Sequence, residues 1–157
     1  MDQPTSPQIP FPPPLIFVVG FGIGWFVARR WSLELLSGNL RTIGVTLGWI
    51  LILLGLAMML TGLIVFANAR TGIMPNLSAK RLLTNGPYRL SRNPMYVGLT
   101  IAYTGGVLLT NIAWCLFVLI IVLIVFDKVI IPREEKYLAV EFGESYLQYC
   151  KQVRRWL

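Results

Sequence analysis

The sequence contains no histidine, only two cysteines and few charged residues. Without histidine, the chain lacks the commonest general base and the commonest metal ligand, and no cysteine cluster replaces them. Cys115 lies deep in an apolar run and Cys150 lies near the C-terminus, so a disulfide between them is not expected. These absences argue against a metal site and against catalytic triads built on histidine.

Charge is scarce and unevenly placed. Only 13% of the residues are charged, whereas a soluble domain carries roughly 25%. The stretches 43–69 and 93–126 contain no charge at all. Each is longer than the ~20 apolar residues that cross a bilayer as a helix. A core helix of a soluble protein is the alternative, but such a helix seldom runs so far without a charge.

These apolar runs predict an all-α polytopic membrane bundle of about four transmembrane helices, followed by a cytoplasmic C-terminal amphipathic helix. The first span starts at Leu15 and reaches full length only if its helix continues past Arg29 and Arg30 to Leu36. The other expected spans are 43–69, 94–109 and 112–131, the last two forming a hairpin that turns at Thr110-Asn111. Gly143 is expected to interrupt the C-terminal helix.

The proline content and the apolar runs predict the domain organisation. Residues 1–14 are rich in proline and are predicted to be a disordered leader, and residues 15–157 form a single membrane-embedded domain.

In the second span, Gly48, Gly55 and Gly62 recur every seven residues. Small residues on one face allow a neighbouring helix to approach closely, so this stripe predicts tight helix packing.

The basic residues predict orientation. With four spans, eleven Lys and Arg fall on the side of the 70–94 loop and the C-terminal tail, and three fall on the other side. The positive-inside rule then places both termini in the cytoplasm of a multi-pass protein, and a bacterial inner membrane suits so small a chain. The net charge of +7 would suggest nucleic acid in a soluble protein, but here it flanks apolar runs, so the bilayer is the expected partner and nucleic acid is not.

Two polar segments are expected to meet on the cytoplasmic side. Asn85-Gly86-Pro87 is a turn, and Asn93-Pro94 starts the third span. Tyr88, Arg92 and Tyr96 are spaced to reach one site at the membrane surface. Glu134 and Glu135, at the start of the tail, supply carboxylates beside this basic loop. A plain positive-inside loop with aromatic membrane anchors is the alternative interpretation.

These segments resemble a known family. The ordered motifs are Gly86-Pro87-Tyr88, Arg92-Asn93-Pro94-x-Tyr96-x-Gly98, Arg133-Glu134-Glu135 and Phe142-Gly143-x-x-Tyr146. Together they resemble the isoprenylcysteine carboxyl methyltransferase and phospholipid methyltransferase group over residues 75–155. Related membrane reductases share parts of this C-terminal pattern.

The resemblance implies a methyltransferase whose cofactor, S-adenosyl-L-methionine, is held between the third span and the tail. Its acceptor would be an amphiphilic or lipidated molecule that arrives from the bilayer, and no metal is required. From the chemistry of methyl transfer, the expected catalytic residues are Arg92, which would orient a carboxylate acceptor, and Glu134, which would take a proton from an amine acceptor. The lack of histidine favours a carboxylate or thiol-type acceptor, or an amine that is already neutral, and the expected activity resembles that of a carboxyl O-methyltransferase. The implied cofactor-binding residues are Lys80, Arg81, Leu82, Leu83, Tyr88, Asn93, Pro94, Met95, Tyr96 and Glu134.

The chain departs from the family pattern at two positions. Asn93 stands where the family commonly has histidine, so a hydrogen bond can survive but imidazole chemistry cannot. Ile130 stands where prenylcysteine enzymes carry an arginine that binds the substrate carboxylate, and Lys128 and Arg133 are the nearby cations. Two other functions stay open: a non-catalytic membrane scaffold of the same fold, and a membrane reductase that uses a nicotinamide cofactor.

Overall fold

The computed structural model describes residues 11–69 and 81–157. Within these ranges every regular element is helical, which confirms the all-α prediction. The elements are α1 (Pro13–Arg30), α2 (Asn39–Asn68), a 3-10 turn (Gly86–Arg89), α3 (Pro94–Thr110), α4 (Ala113–Val125), a π-turn (Phe126–Ile130), α5 (Ile131–Phe142) and α6 (Glu144–Gln152).

Two of the described helices are long and apolar enough to cross a membrane. One is α2, and the other is the continuous helix Ala113–Phe142, which joins α4, the π-turn and α5. The apolar helix α3 is shorter, with 17 residues, and α1 has 18. The structure therefore supports a membrane protein, and the expected number of four spans stays a prediction.

The first span differs from the sequence-based expectation at both ends. It begins at Pro13, inside the proposed leader, because proline is favourable at the first position of a helix. It ends at Arg30 and does not continue to Leu36. Residues 33–36 instead pair with the turn between α3 and α4: Asn111 Nδ2 donates to the Leu36 carbonyl, and Asn111 Oδ1 accepts from the Leu36 N–H, both at 2.9 Å. This turn therefore pairs the backbone N–H and carbonyl of Leu36, which a longer α1 would have paired within the helix.

Glycines bring α2 and α3 into backbone contact, as the seven-residue stripe predicted. A Cβ added at Gly48 would lie 2.9 Å from the Gly105 carbonyl oxygen, and one at Gly105 would lie 2.6 Å from that of Gly48. Gly55 and Gly98 make the same reciprocal contact one level away. Because both helices present only hydrogen at these points, the pair packs without space for a side chain.

Large aromatic side chains fill the space between α3 and the α1–α4 pair. Phe17 and Tyr96 both pack on Phe126, each with ring centroids 4.8 Å apart. The Tyr103 hydroxyl donates to the Cys115 carbonyl at 3.0 Å, which satisfies a buried polar group within this core. The aromatic core ends at the π-turn, where Phe126 and Ile131 are fully buried.

Pro132 gives a local reason for the π-turn. Proline has no N–H to donate to the carbonyl four residues earlier, here that of Lys128, and its ring would clash with that carbonyl in a regular helix. The wider π-turn at Phe126–Ile130 relieves this conflict and lets the helix continue into α5. The fourth apolar helix was expected to end near residue 131, and it instead runs on as amphipathic α5 to Phe142.

The chain reverses at Gly143 and returns to the membrane helices. Gly143 has a φ of +53°, a conformation that favours glycine, and it separates α5 from α6 as predicted. After α6, residues 153–157 cross back over the start of α3 and the π-turn. We name this segment the C-terminal strap.

Candidate functional site

The predicted site lies where α3 begins, beside α5. Tyr96, in the first turn of α3, donates its hydroxyl hydrogen to Glu134 Oε1 at 2.5 Å. Tyr96 is buried and its ring packs edge-on against Phe126, so the hydroxyl is held in place by the aromatic core. The structure therefore brings together two residues that are 38 positions apart in sequence and that the motif pattern had assigned to one site.

Glu135 faces a different set of partners. Its Oε1 lies 3.1 Å from Arg92 Nη2, and its Oε2 lies 2.6 Å from Arg155 Nη2. Arg155 also donates its Nε–H to Glu135 Oε1 at 3.2 Å, which makes a two-pronged contact. The hydrogen bonds to this carboxylate raise the pKa of the Arg155 guanidinium. Glu135 thus serves as the common anion of two arginines.

Arg92 is largely committed to this network. Besides Glu135, its guanidinium contacts the Cys150 sulfur through Nη1. Its side chain is 15% exposed. The Nε–H is buried and has no hydrogen-bond partner within residues 11–69 and 81–157. A buried donor without an acceptor is costly, so this atom marks a place where an external acceptor would be stabilised.

Tyr88 is fixed through its backbone. The Tyr149 hydroxyl, on α6, donates to the Tyr88 carbonyl at 2.7 Å. Burial raises the pKa of Tyr149 to about 12, so this hydroxyl keeps its proton and remains a donor at physiological pH. Burial raises the pKa of the Tyr88 hydroxyl as well, and the nearby Tyr149 and Glu134 raise it further.

Asn93 performs a structural task at the start of α3. Its side-chain Nδ2 donates to the Arg155 carbonyl at 2.9 Å, and its backbone carbonyl accepts the N–H of Tyr96 at 3.0 Å. Pro94 follows as the first residue of the helix and is buried. The amide at this position thus ties α3 to the C-terminal strap with a hydrogen bond that needs no imidazole.

The remaining predicted contacts are spread more widely. Met95 packs against α2, where a Cβ added at Gly62 would meet its Cγ at 2.8 Å. Arg81 is exposed, and Leu82 and Leu83 are half-buried in the segment before the Gly86 turn. Lys80 lies outside the described residues.

Ile130 does not face a polar site. It is 6% exposed and belongs to the apolar core. Of the two nearby cations, Lys128 is exposed and pairs with its neighbour Asp127 at 2.9 Å, and Arg133 is exposed. The position where the resemblance would place a substrate-binding arginine therefore holds a side chain that packs in the core.

Sequence reasoning missed three members of the site: Asp127, Arg155 and Trp156. Arg155 Nη1 and Trp156 Nε1 each lie 3.2 Å from Asp127 Oδ1. A signal was available, since Asp127 is the residue that ends the long uncharged run and needs a partner there.

An open groove of about 390 Å³ lies at the other end of the helices, between the last turn of α1 and the α3–α4 turn. Trp25, Arg29 and Asn111 contribute to its walls. None of the predicted site residues lines it. It is therefore separate from the Tyr96–Glu134 site.

The helices and the site define the class of protein: a helical membrane protein with a polar site at one end of its apolar helices. Comparison with known proteins gives the family. A family model described as phospholipid methyltransferase matches residues 43–145, more than half of the chain, and the chain belongs to that family. The matched region runs from α2 into α6, so it contains both Tyr96 and Glu134.

One curated relative is similar over a short region. An uncharacterized protein from Haemophilus influenzae (strain ATCC 51907 / DSM 11121 / KW20 / Rd) is 39% identical over 60 residues, which cover 33% of this chain and 95% of that protein. Its name states no activity. The family match therefore supports a methyltransferase, and it bears out the resemblance that the motifs indicated.

Proposed function

We propose that this chain is an S-adenosylmethionine-dependent methyltransferase that acts on an amphiphilic, lipid-like acceptor. The observation that carries the proposal is the hydrogen-bonded pair of Tyr96 and Glu134 inside the region matched by the methyltransferase family. A carboxylate held by a buried tyrosine at the end of apolar helices is costly to maintain, which argues for a functional role.

The residues around this pair suit the cofactor. A carboxylate has about four lone-pair sites, so the bond from Tyr96 leaves Glu134 able to accept ribose hydroxyls. Among the described residues, the buried Nε–H of Arg92 has no acceptor, and it suits the amino-acid carboxylate of the cofactor. When bound, S-adenosylmethionine supplies a methyl group on a positively charged sulfur. The protein's part is to orient the reactants and to exclude water.

The charges favour an amine as the acceptor. Arg92 pairs with Glu135, and Arg155 pairs with both Glu135 and Asp127, whereas no Lys or Arg of residues 11–69 and 81–157 forms an ion pair with Glu134. A site whose uncompensated group is a carboxylate attracts an ammonium group and can take its proton before the transfer. A carboxylate acceptor would require a cation beyond Arg92, and the core position of Ile130 does not provide it. We therefore propose a lipid headgroup amine, rather than a prenylcysteine carboxylate, as the methyl acceptor.

Equilibrium binding of S-adenosylhomocysteine to the detergent-purified protein tests the cofactor. Losing one hydrogen bond to a charged group costs about 1.5–3 kcal/mol, so Glu134→Gln should weaken binding roughly tenfold to 150-fold. Glu141→Gln is the matched control, because Glu141 lies on the same helix and is exposed. Absence of binding by the wild type would support the scaffold, or the reductase if a nicotinamide cofactor binds instead.

Transfer of a radiolabelled methyl group tests the acceptor. Phosphatidylethanolamine vesicles should be labelled by the wild type, and a farnesylated cysteine analogue should be labelled poorly. The reverse preference would show that a cation outside the described network orients a carboxylate acceptor.

A further inference from the structure

The C-terminal strap bonds to the start of α3. The backbone N–H of Arg92 donates to the Arg154 carbonyl at 2.9 Å. The Arg155 carbonyl accepts from Asn93 Nδ2 at 2.9 Å and from Ser91 Oγ at 3.2 Å. Ser91 is fully buried, so its hydroxyl group is shielded from water. The strap is therefore anchored to the segment that leads into Tyr96.

The same strap holds the π-turn. Arg155 Nη1 donates to the Asp127 backbone carbonyl at 3.4 Å and to its Oδ1 at 3.2 Å. Trp156 Nε1 donates to the same Oδ1 at 3.2 Å. A π-turn leaves its carbonyls less well paired than a regular helix, and an external donor stabilises that geometry. Two consecutive strap residues thus cap one residue of the turn.

The π-turn sets the direction of the two glutamates. A π-turn adds one residue to a helix, and each residue of an α-helix turns the chain by about 100°. With the turn in place, Glu134 faces Tyr96 and Glu135 faces Arg92 and Arg155. Pro132 disfavours a regular helix here, so loss of the strap contacts would loosen the turn rather than convert it. A loosened turn would no longer fix the rotation of α5, and both carboxylates would lose their fixed direction toward their partners.

We infer that Arg155 and Trp156 are positioning residues, which hold the π-turn and thereby direct Glu134 toward Tyr96 and the cofactor. The predicted effect on S-adenosylhomocysteine binding rests on the proposed function. The predicted effect on the π-turn rests only on the contacts described above. Arg155 acts from the side chain and Trp156 from its indole N–H. Arg154, between the two anchors, contributes its backbone carbonyl while its side chain is exposed.

A double-mutant cycle tests the action through Glu134. Arg155→Ala should weaken S-adenosylhomocysteine binding roughly tenfold or more, and the matched control Arg154→Ala should change it less than about twofold. In the Glu134→Gln protein, Arg155→Ala should have little further effect, because the group it positions is already gone. An equal additional loss in that background would overturn the inference, since the strap would then act independently of Glu134.

Hydrogen exchange without ligand tests the strap separately. Peptides that cover residues 126–135 should exchange roughly tenfold faster in Arg155→Ala than in the wild type or in Arg154→Ala. Unchanged exchange would overturn the role in the π-turn even if the protein binds S-adenosylhomocysteine. If the wild type fails to bind, the proposed function fails, and this measurement still decides the helix effect.

A gentler variant covers the case in which Arg155→Ala does not fold. Trp156→Phe removes the indole N–H that Asp127 accepts and keeps most of the ring packing against the core. It should raise exchange in the same peptides by a smaller factor and weaken binding by a few-fold. A wild-type exchange pattern in Trp156→Phe, together with wild-type affinity, would remove Trp156 from the mechanism.

Discussion

At the residue scale, the adjacent glutamates of α5 have different neighbours because successive positions of a helix point about 100° apart. Glu134 meets the neutral hydroxyl of Tyr96, and Glu135 meets two guanidinium groups. Among residues 11–69 and 81–157, Glu134 has no ion-pair partner, whereas Glu135 is shared by the two guanidinium groups. A substitution at Glu135 is therefore not a neutral comparison for one at Glu134.

Glu135→Gln should destabilise the protein by about 1–3 kcal/mol, because it removes the anion of two partly buried arginines. Glu134→Gln should leave stability nearly unchanged, since an amide oxygen can still accept the Tyr96 hydroxyl. Thermal unfolding in detergent measures both, with Glu141→Gln as the exposed control. Equal midpoints for the two variants would contradict the division of roles.

The sequence was sufficient to place Tyr96 and Glu134 in one site, since the ordered motifs name both. It was not sufficient to show that Arg92 pairs with Glu135, because two adjacent glutamates in a sequence do not reveal which of them faces Tyr96 and which faces Arg92. That choice depends on the helix phase, and the phase depends on a π-turn. Ile130 shows the same limit: its burial follows from packing on Phe126 and its neighbours, which the linear pattern does not reveal.

At the element scale, glycine decides which helices touch. The contact of α2 with α3 is made by glycines whose backbones meet, and bulky aromatic rings separate α3 from α1 and α4. In a membrane, helices associate through packing rather than through the hydrophobic effect. Close approach of two backbones therefore contributes directly to the stability of the helix pair. The α2–α3 pair is thus the tightest unit that the described helices form by this mechanism.

Gly55→Ala should separate α2 from α3. Its Cβ would lie 2.6 Å from the Ala102 nitrogen, which is backbone and cannot move aside cheaply. Overpacking of this kind costs about 1–3 kcal/mol. Gly22→Ala is the control, because a Cβ there would have nothing within 4 Å. Thermal midpoints in detergent compare the two, and an equally stable Gly55→Ala protein would show that the helices can slide without loss.

Helix positions could be derived from the uncharged runs, the Thr110-Asn111 turn and the break at Gly143. The wrong end of α1 has a clear reason: Arg29 and Arg30 could have snorkelled, but the side chain of Asn111 offered Leu36 a better set of hydrogen bonds. This contact links positions 75 residues apart, so it cannot be predicted from the local sequence around either residue.

At the scale of the whole molecule, the two ends of the bundle differ in their free positive charge. Arg41 donates from Nη1 and Nη2 to the carbonyls of Leu108 and Leu109, both at 2.6 Å. It therefore caps the C-terminus of α3, where a cation is favourable, and is less available to the membrane surface. Within residues 11–69 and 81–157, the exposed cations at this end are then Arg29 and Arg30, whereas more Lys and Arg lie on the side of the site.

This imbalance predicts that both termini and the Tyr96–Glu134 site lie in the cytoplasm. Single cysteines at Thr5, Ser37 and Gln152, placed in a Cys150→Ser background, can be labelled in intact and in permeabilised bacterial cells. Ser37 and Gln152 are exposed, Thr5 lies outside the described residues, and the native Cys115 is buried. Position 37 should react with a membrane-impermeant maleimide in intact cells, and positions 5 and 152 only after permeabilisation. If 37 and 152 react from the same side, the chain does not cross the membrane four times, and the site must be reached from elsewhere.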